Sequence, residues 1–123
     1  MHVSHQLPPG PDPLRLDNTS DPRTLSLDGV SAIALHFPKF SDGRAFTQAH
    51  WLRRRLGFTG ALIATGDVLI DQLQQMQRCG FSHAVLRADQ DPVAAQRLLG
   101  LFSAFYQGDA IQPQPRFAQE AQA

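Results

Sequence analysis

The sequence predicts an α/β domain with a small open, mainly parallel sheet built from three βα units. Three observations carry this. Short apolar runs of strand length alternate with segments whose apolar residues recur every three or four positions. Arg55-Leu56-Gly57-Phe58-Thr59 recurs 23 positions later as Arg78-Cys79-Gly80-Phe81-Ser82, and Ala61-Leu62-Ile63 falls on Ala84-Val85-Leu86 at the same offset. Each copy reads as a helix end, a Gly able to take positive φ, a packing Phe and a strand. That is the spacing a parallel crossover requires.

The elements follow in order. Residues 1–13 hold Pro8, Pro9, Gly10, Pro11 and Pro13 and read as a disordered N-terminal segment. A strand at about 24–28, where Leu25 and Leu27 flank Ser26, is an optional first element. Ala32-Ile33-Ala34-Leu35-His36-Phe37 fits a buried strand. A helix over about 43–56 follows, with Phe46, Ala49, Leu52 and Leu56 on one face and Gly57 as its stop. Ala61–Ala64 is the second strand. Gly66-Asp67 leads into a helix carrying Leu69, Leu73 and Met76, stopped by Gly80. Ala84–Leu86 is the third strand. Asp91-Pro92 opens a third helix that runs to about Gln107. Residues 110–123, with Pro113, Pro115 and four Gln, read as a disordered C-terminal tail, leaving one domain over 14–109. Three or four parallel strands cannot close a barrel, which needs about eight. The sheet is therefore open and resembles a fragment of a βα barrel or of a doubly wound sheet.

Composition narrows the function classes. The 123 residues hold 11 Lys+Arg and 11 Asp+Glu, a formal net charge of zero. That balance argues against nucleic-acid binding by bulk positive charge. Arg53-Arg54-Arg55, beside Trp51, fans around a helix and reads as a solvated face. No apolar run approaches the ~18 residues of a spanning helix. The N-terminus has no basic and apolar signal regions, so a cytoplasmic protein without a membrane anchor is expected. Cys79 is the single cysteine. It excludes an internal disulfide, a CxxC redox pair and a cysteine-ligated cluster within one chain. The five histidines show no metal-binding spacing, and no GxGxxG, Walker A or GxSxG occurs. No cofactor and no metal are expected.

Ligands of parallel α/β sheets gather at the carboxyl ends of the strands. Three loops meet there: His36–Arg44, Thr65-Gly66-Asp67 and Arg87–Asp91. Lys39, Ser41, Arg44 and Arg87 are the candidate ligand-binding residues, suited to an oxyanion near helix N-termini. Asp42, Asp67 and Asp71 are the candidate acids or bases. Asp42, Asp67 and Asp91 equally suit N-caps, which would occupy the same N–H groups.

The runs Phe37-Pro38-Lys39-Phe40-Ser41-Asp42-Gly43-Arg44, Leu52-Arg53-Arg54-Arg55-Leu56-Gly57, Gly66-Asp67-Val68-Leu69-Ile70-Asp71-Gln72-Leu73 and Arg78-Cys79-Gly80-Phe81 resemble those of a small bacterial family of unknown function. Its genes accompany assimilatory sulfite reductase, and its members are labelled oxidoreductases of sulfite reduction. The resemblance covers about residues 24–107 and carries no catalytic assignment. It implies a role in sulfur assimilation, with sulfite reductase or another enzyme of that process as partner. Since the chain shows no redox motif, an accessory protein that binds a partner enzyme or a small oxyanion is the first expectation. A small enzyme or oxyanion-binding subunit with its site in the three loops is the second, and a purely structural or interaction module is the third. The third helix has a wide apolar arc, Leu98, Leu99, Leu101, Phe102, Phe105 and Tyr106. Part of it, with Trp51, is expected to form a homodimer or partner interface.

Overall fold

The structure, a computed structural model, describes residues 1–105, with side chains through residue 101. Five strands, β1 (His2–Ser4), β2 (Leu14–Leu16), β3 (Ala32–Phe37), β4 (Ala61–Gly66) and β5 (His83–Val85), form one sheet in the order β1-β5-β4-β3-β2, with every pairing parallel. Helices α1 (Arg44–Arg54), α2 (Leu73–Cys79) and α3 (Pro92–Phe105) follow β3, β4 and β5. The predicted α/β class and open parallel sheet are what the structure has. Strands β3, β4 and β5 step across the sheet in one direction. Right-handed crossovers that step one way put their helices on one face. Accordingly α1 packs on α2, α2 on α3, and α3 on β1.

Strand alternation sorts the side chains. Ile33, Leu35 and Phe37 of β3, Leu62 and Ala64 of β4 and Ala84 of β5 turn to the helices and are buried there with Ala49 and Leu52 of α1 and Leu73 and Met76 of α2. Ala34 and Ile63 face the other way and lie outside that cluster, yet they are 2% and 1% exposed. The β1–β2 connection explains this. These strands occupy opposite edges, so residues 5–13 must cross the whole sheet. An extended segment of that length reaches about 28 Å. Four inter-strand gaps of about 4.8 Å need only about 19 Å. Leu7, Pro8 and Pro13 are half-buried along the way. The proline-rich segment is thus long enough to span the helix-free face.

Three expectations are corrected here. The N-terminal segment is not loose throughout, because His2–Ser4 forms an edge strand. Val3 is buried, its N–H donates to Gln96 Oε1 at 3.2 Å, and Gln96 Nε2 donates to the Met1 carbonyl at 3.0 Å. A single side chain of α3 therefore holds the free edge of β1 with one accepted and one donated hydrogen bond. The extra strand lies at Leu14–Leu16, not at 24–28. Pro22–Thr24 forms a 3-10 turn instead, with Asp21 accepting the Arg23 N–H and Pro22 opening it, while Leu25 and Leu27 pack half-buried as loop. The helix over 67–79 is also shorter than expected: Val68 and Leu69 precede a 3-10 turn, Ile70–Gln72, that leads into α2. Of the α3 arc, Leu99 is buried, Leu98 half-buried and Leu101 51% exposed. The side chains of Phe102 and Phe105, Tyr106 and the expected tail 110–123 lie outside the described residues. Among the described residues no helix is long and apolar enough to cross a membrane.

The β1–β5 edge carries a titratable contact. His2 and His83 pair across it in register, their rings edge-to-face at 5.8 Å, and Ser82 Oγ lies 2.8 Å from His83 Nδ1. Burial, and secondarily His2, hold the His83 pKa below its ordinary 6.5. The neutral ring is thus favoured in the fold, and the unfolded chain takes up the proton first. Stability is expected to fall as pH drops below about 6.5 toward the folded pKa. Urea midpoints at pH 7.5 and 5.5 check this, and His83→Gln should flatten the difference.

Candidate functional site

The carboxyl ends of the strands carry two clusters of charged side chains. The first forms where β3 hands over to α1. Asp42 stands one residue before the helix cap, which is Gly43 and not Asp42, and accepts the Arg44 backbone N–H at 3.0 Å. It also accepts Arg44 Nη2 at 2.8 Å and Asn18 Nδ2 at 2.6 Å. Hydrogen bonds from the Arg44 side chain and backbone bring the Asp42 pKa down to about 2. Asn18 is 8% exposed and comes from the loop after β2. Arg44 thus lies on the surface paired with Asp42, two residues before it.

The second cluster joins β4 to β5. Asp67 accepts the Phe40 N–H at 2.7 Å and Arg87 Nη1 at 2.7 Å, and Arg87 donates through Nε and Nη2 to Asp89 at 2.8 and 2.7 Å. The Arg87 guanidinium, then the Phe40 amide, lower the Asp67 pKa; Arg87 holds Asp89 at about 2. Asp67 is therefore not an N-cap: it sits in a tight turn closed by the Val68 N–H on the Gly66 carbonyl at 2.9 Å, Leu69 beyond it is extended, and Gln72 Oε1 accepts the Leu69 N–H. Asp91 does cap α3, accepting the Val93 N–H at 2.9 Å.

Between the clusters stands the loop Pro38–Ser41, clamped through its backbone. The Phe40 N–H is held by Asp67, its carbonyl accepts Gln72 Nε2, and the Asp42 N–H closes a turn on the Lys39 carbonyl at 3.0 Å. Asp67 N–H in turn holds the Phe37 carbonyl at 2.8 Å. Gln90 secures the neighbouring segment, its side chain accepting the Ile70 N–H at 3.0 Å and its carbonyl lying 2.7 Å from His5 Nε2. The result is a fixed main chain that displays its side chains: Lys39 and Ser41 are exposed and Phe40 is 53% exposed. The Lys39 side chain has no hydrogen bond or ion pair among the described residues.

The structure thus brings Asp67 and Arg87 together, and Asp42 and Arg44 together, in separate ion pairs. Asp71 stands exposed in the 3-10 turn before α2. A general acid or base works best with a pKa near the operating pH. Asp42 and Asp67 are shifted away from it and are committed to neighbouring donors. Chemically, this rim is built to fix a loop and present it. Gln72, Gln90, Asn18 and Asp89 do much of that fixing; of these only Asn18 lies outside the runs and loops that the sequence singles out.

The remaining sequence candidates lie elsewhere. Cys79 is half-buried at the end of α2, and burial pushes its thiol pKa up, as for an inert thiol. The Trp51 ring lies between the Arg23 and Arg55 guanidiniums, 5.4 and 5.1 Å from its centroid. Among the described residues no group of three or more His, Cys, Asp or Glu could hold a metal ion. No curated protein and no solved structure matches the chain. Residues 13–117, including the clamped loop and both charge clusters, match the family model described as bacterial protein of unknown function (DUF934), and the chain belongs to that family.

Proposed function

We propose that the protein is an accessory factor of assimilatory sulfite reduction, which binds sulfite reductase or another sulfur-assimilation enzyme in the cytoplasm through the loop Pro38–Ser41. The observation that carries the docking role is an aromatic side chain left 53% exposed on a backbone clamped from three sides. Aromatic residues that insert into a partner pocket dominate interface energies. A loop already ordered avoids the entropy otherwise lost on binding. The internally paired charges of Arg44 and Arg87 support binding over catalysis, since both cations are engaged within the chain. The sulfite setting rests on the resemblance of the FPKFSDGR and GDVLIDQL runs.

Co-purification with sulfite reductase from the same cell tests the reading. The wild-type chain is expected to be retained, and Phe40→Ala to weaken binding at least tenfold, about 1.4 kcal/mol or more, with helix content and unfolding midpoint unchanged. Lys39→Ala should weaken it less and in a salt-dependent way. No retention of the wild-type chain, with normal growth on sulfate after gene deletion, would overturn the proposal.

A further inference from the structure

The opposite end of the sheet holds a cavity of about 470 Å³, lying between the C-terminal ends of α1 and α2. Arg53, Arg54 and Arg78 line it together with Gln77 and Ser82, and no carboxylate of the described residues does. Arg53 is the fixed member. Its Nε donates to the Gly80 carbonyl at 2.8 Å, and its Nη1 to the Phe58 and Gly60 carbonyls at 2.9 and 2.6 Å. These bonds leave Nη2 without a hydrogen bond among the described residues. Arg54, the next residue, is exposed and has no ion pair or hydrogen bond there.

Helix C-termini repel anions, so the charge balance decides. Each of the two helix ends contributes roughly half a negative charge. The two full charges of Arg53 and Arg54 outweigh that sum. An arginine anchored by three carbonyls is already ordered, so its spare N–H groups can be used with little loss of side-chain entropy. The volume falls within the roughly 300–1,000 Å³ typical of small-molecule pockets, larger than a lone oxyanion needs.

We infer that this cavity binds a small organic anion carrying a tetrahedral oxyanion group, phosphate or sulfate, held by Arg53 Nη2 and the Arg54 guanidinium. This site is separate from the Pro38–Ser41 loop, so either assignment can fail without the other. The test is a calorimetric and NMR titration of the full chain with inorganic phosphate, sulfate and glycerol 3-phosphate, against sodium chloride at matched ionic strength. Saturable binding is expected, with amide shifts at residues 53–54 and 77–82 and slower labelling of the Cys79 thiol in the bound form. Arg54→Ala, at an exposed position, should weaken binding at least tenfold with an unchanged unfolding midpoint, Arg54→Lys should weaken it less, and Lys39→Ala should leave it intact. Glycerol 3-phosphate binding more tightly than phosphate would support an organic ligand. Shifts that follow ionic strength alone, or equal binding by Arg54→Ala, would overturn the inference.

Discussion

Replacing Phe37 with alanine is expected to lower the free energy of unfolding by roughly 3–5 kcal/mol. Phe37 is fully buried at the C-terminal end of β3. Its ring lies 5.0 Å from that of Phe46, at 68°, and 5.9 Å from that of Phe81, at 45°; Phe46 and Phe81 meet edge-on at 6.5 Å. One ring thus joins the last residue of a strand, the first turn of α1 and the residue that leads into β5. Truncation loses the transfer free energy of the ring, leaves a cavity the three elements cannot easily close, and removes two aromatic pairs worth about 0.5–1.5 kcal/mol each. A domain of this size has only about 5–15 kcal/mol in total, so the loss is a large share. Phe37→Leu keeps most of the volume and should recover about half of it. Urea unfolding with an unchanged m-value reads the difference. A loss under about 1 kcal/mol would mean that the aromatic cluster does not hold these elements together.

How much of this was legible in the sequence depends on the range of the interaction concerned. The 23-residue repeat is a local signal, and both copies do the same thing: Gly57 and Gly80 take φ of +67° and +105°, and Phe58 and Phe81 are buried. The long strands β3 and β4 announce themselves by continuous apolar runs, because both their faces are covered. The three-residue edge strands β1 and β2 do not. His2-Val3-Ser4 and Leu14-Arg15-Leu16 are too short for their alternation to stand out, and they pair only because β5 and β3 offer open edges. The path of the proline-rich connection is likewise topological: its ends lie on opposite edges, so it must cross the sheet. At the candidate site the loop His36–Arg44 was legible from its content and its place after a strand. Its pairings were less so. The Asp42–Arg44 pair is local, but Asp67 meets Arg87 20 positions on only because β4 and β5 lie side by side. Asp67 looks like a helix cap in sequence, since an Asp after a Gly before an apolar period fits that role. The tight turn at Gly66–Val68 and the extended Leu69 shift the helix start and free the Asp67 carboxylate for Phe40.

Gly66→Ala is expected to cost roughly 2–4 kcal/mol, and its effect should reach the loop that carries the proposed docking residue. Gly66 ends β4 with φ +94°, and a Cβ there would stand 2.3 Å from the Phe37 carbonyl oxygen and 2.7 Å from His36 Cε1. The imidazole can rotate away, but the carbonyl cannot without moving the end of β3. That carbonyl accepts the Asp67 N–H at 2.8 Å. Displacing it shifts the Asp67 backbone and withdraws its carboxylate from the Phe40 N–H and from Arg87. Arg87 retains Asp89, so the second cluster is only half released. The measurable consequences are a lower urea midpoint, faster hydrogen exchange at the Asp67 and Phe40 amides, and weaker capture of the partner enzyme. Gly43→Ala is the matched control. Gly43 has φ −89° and nothing within 4 Å of an added Cβ, so its loss of stability should be only that of Ala at a helix N-cap, about 1 kcal/mol or less. If Gly66→Ala instead behaves like Gly43→Ala in both stability and exchange, the backbone clamp from Phe37 through Asp67 to Phe40 does not control the loop, and the ordered display of Phe40 loses its physical basis.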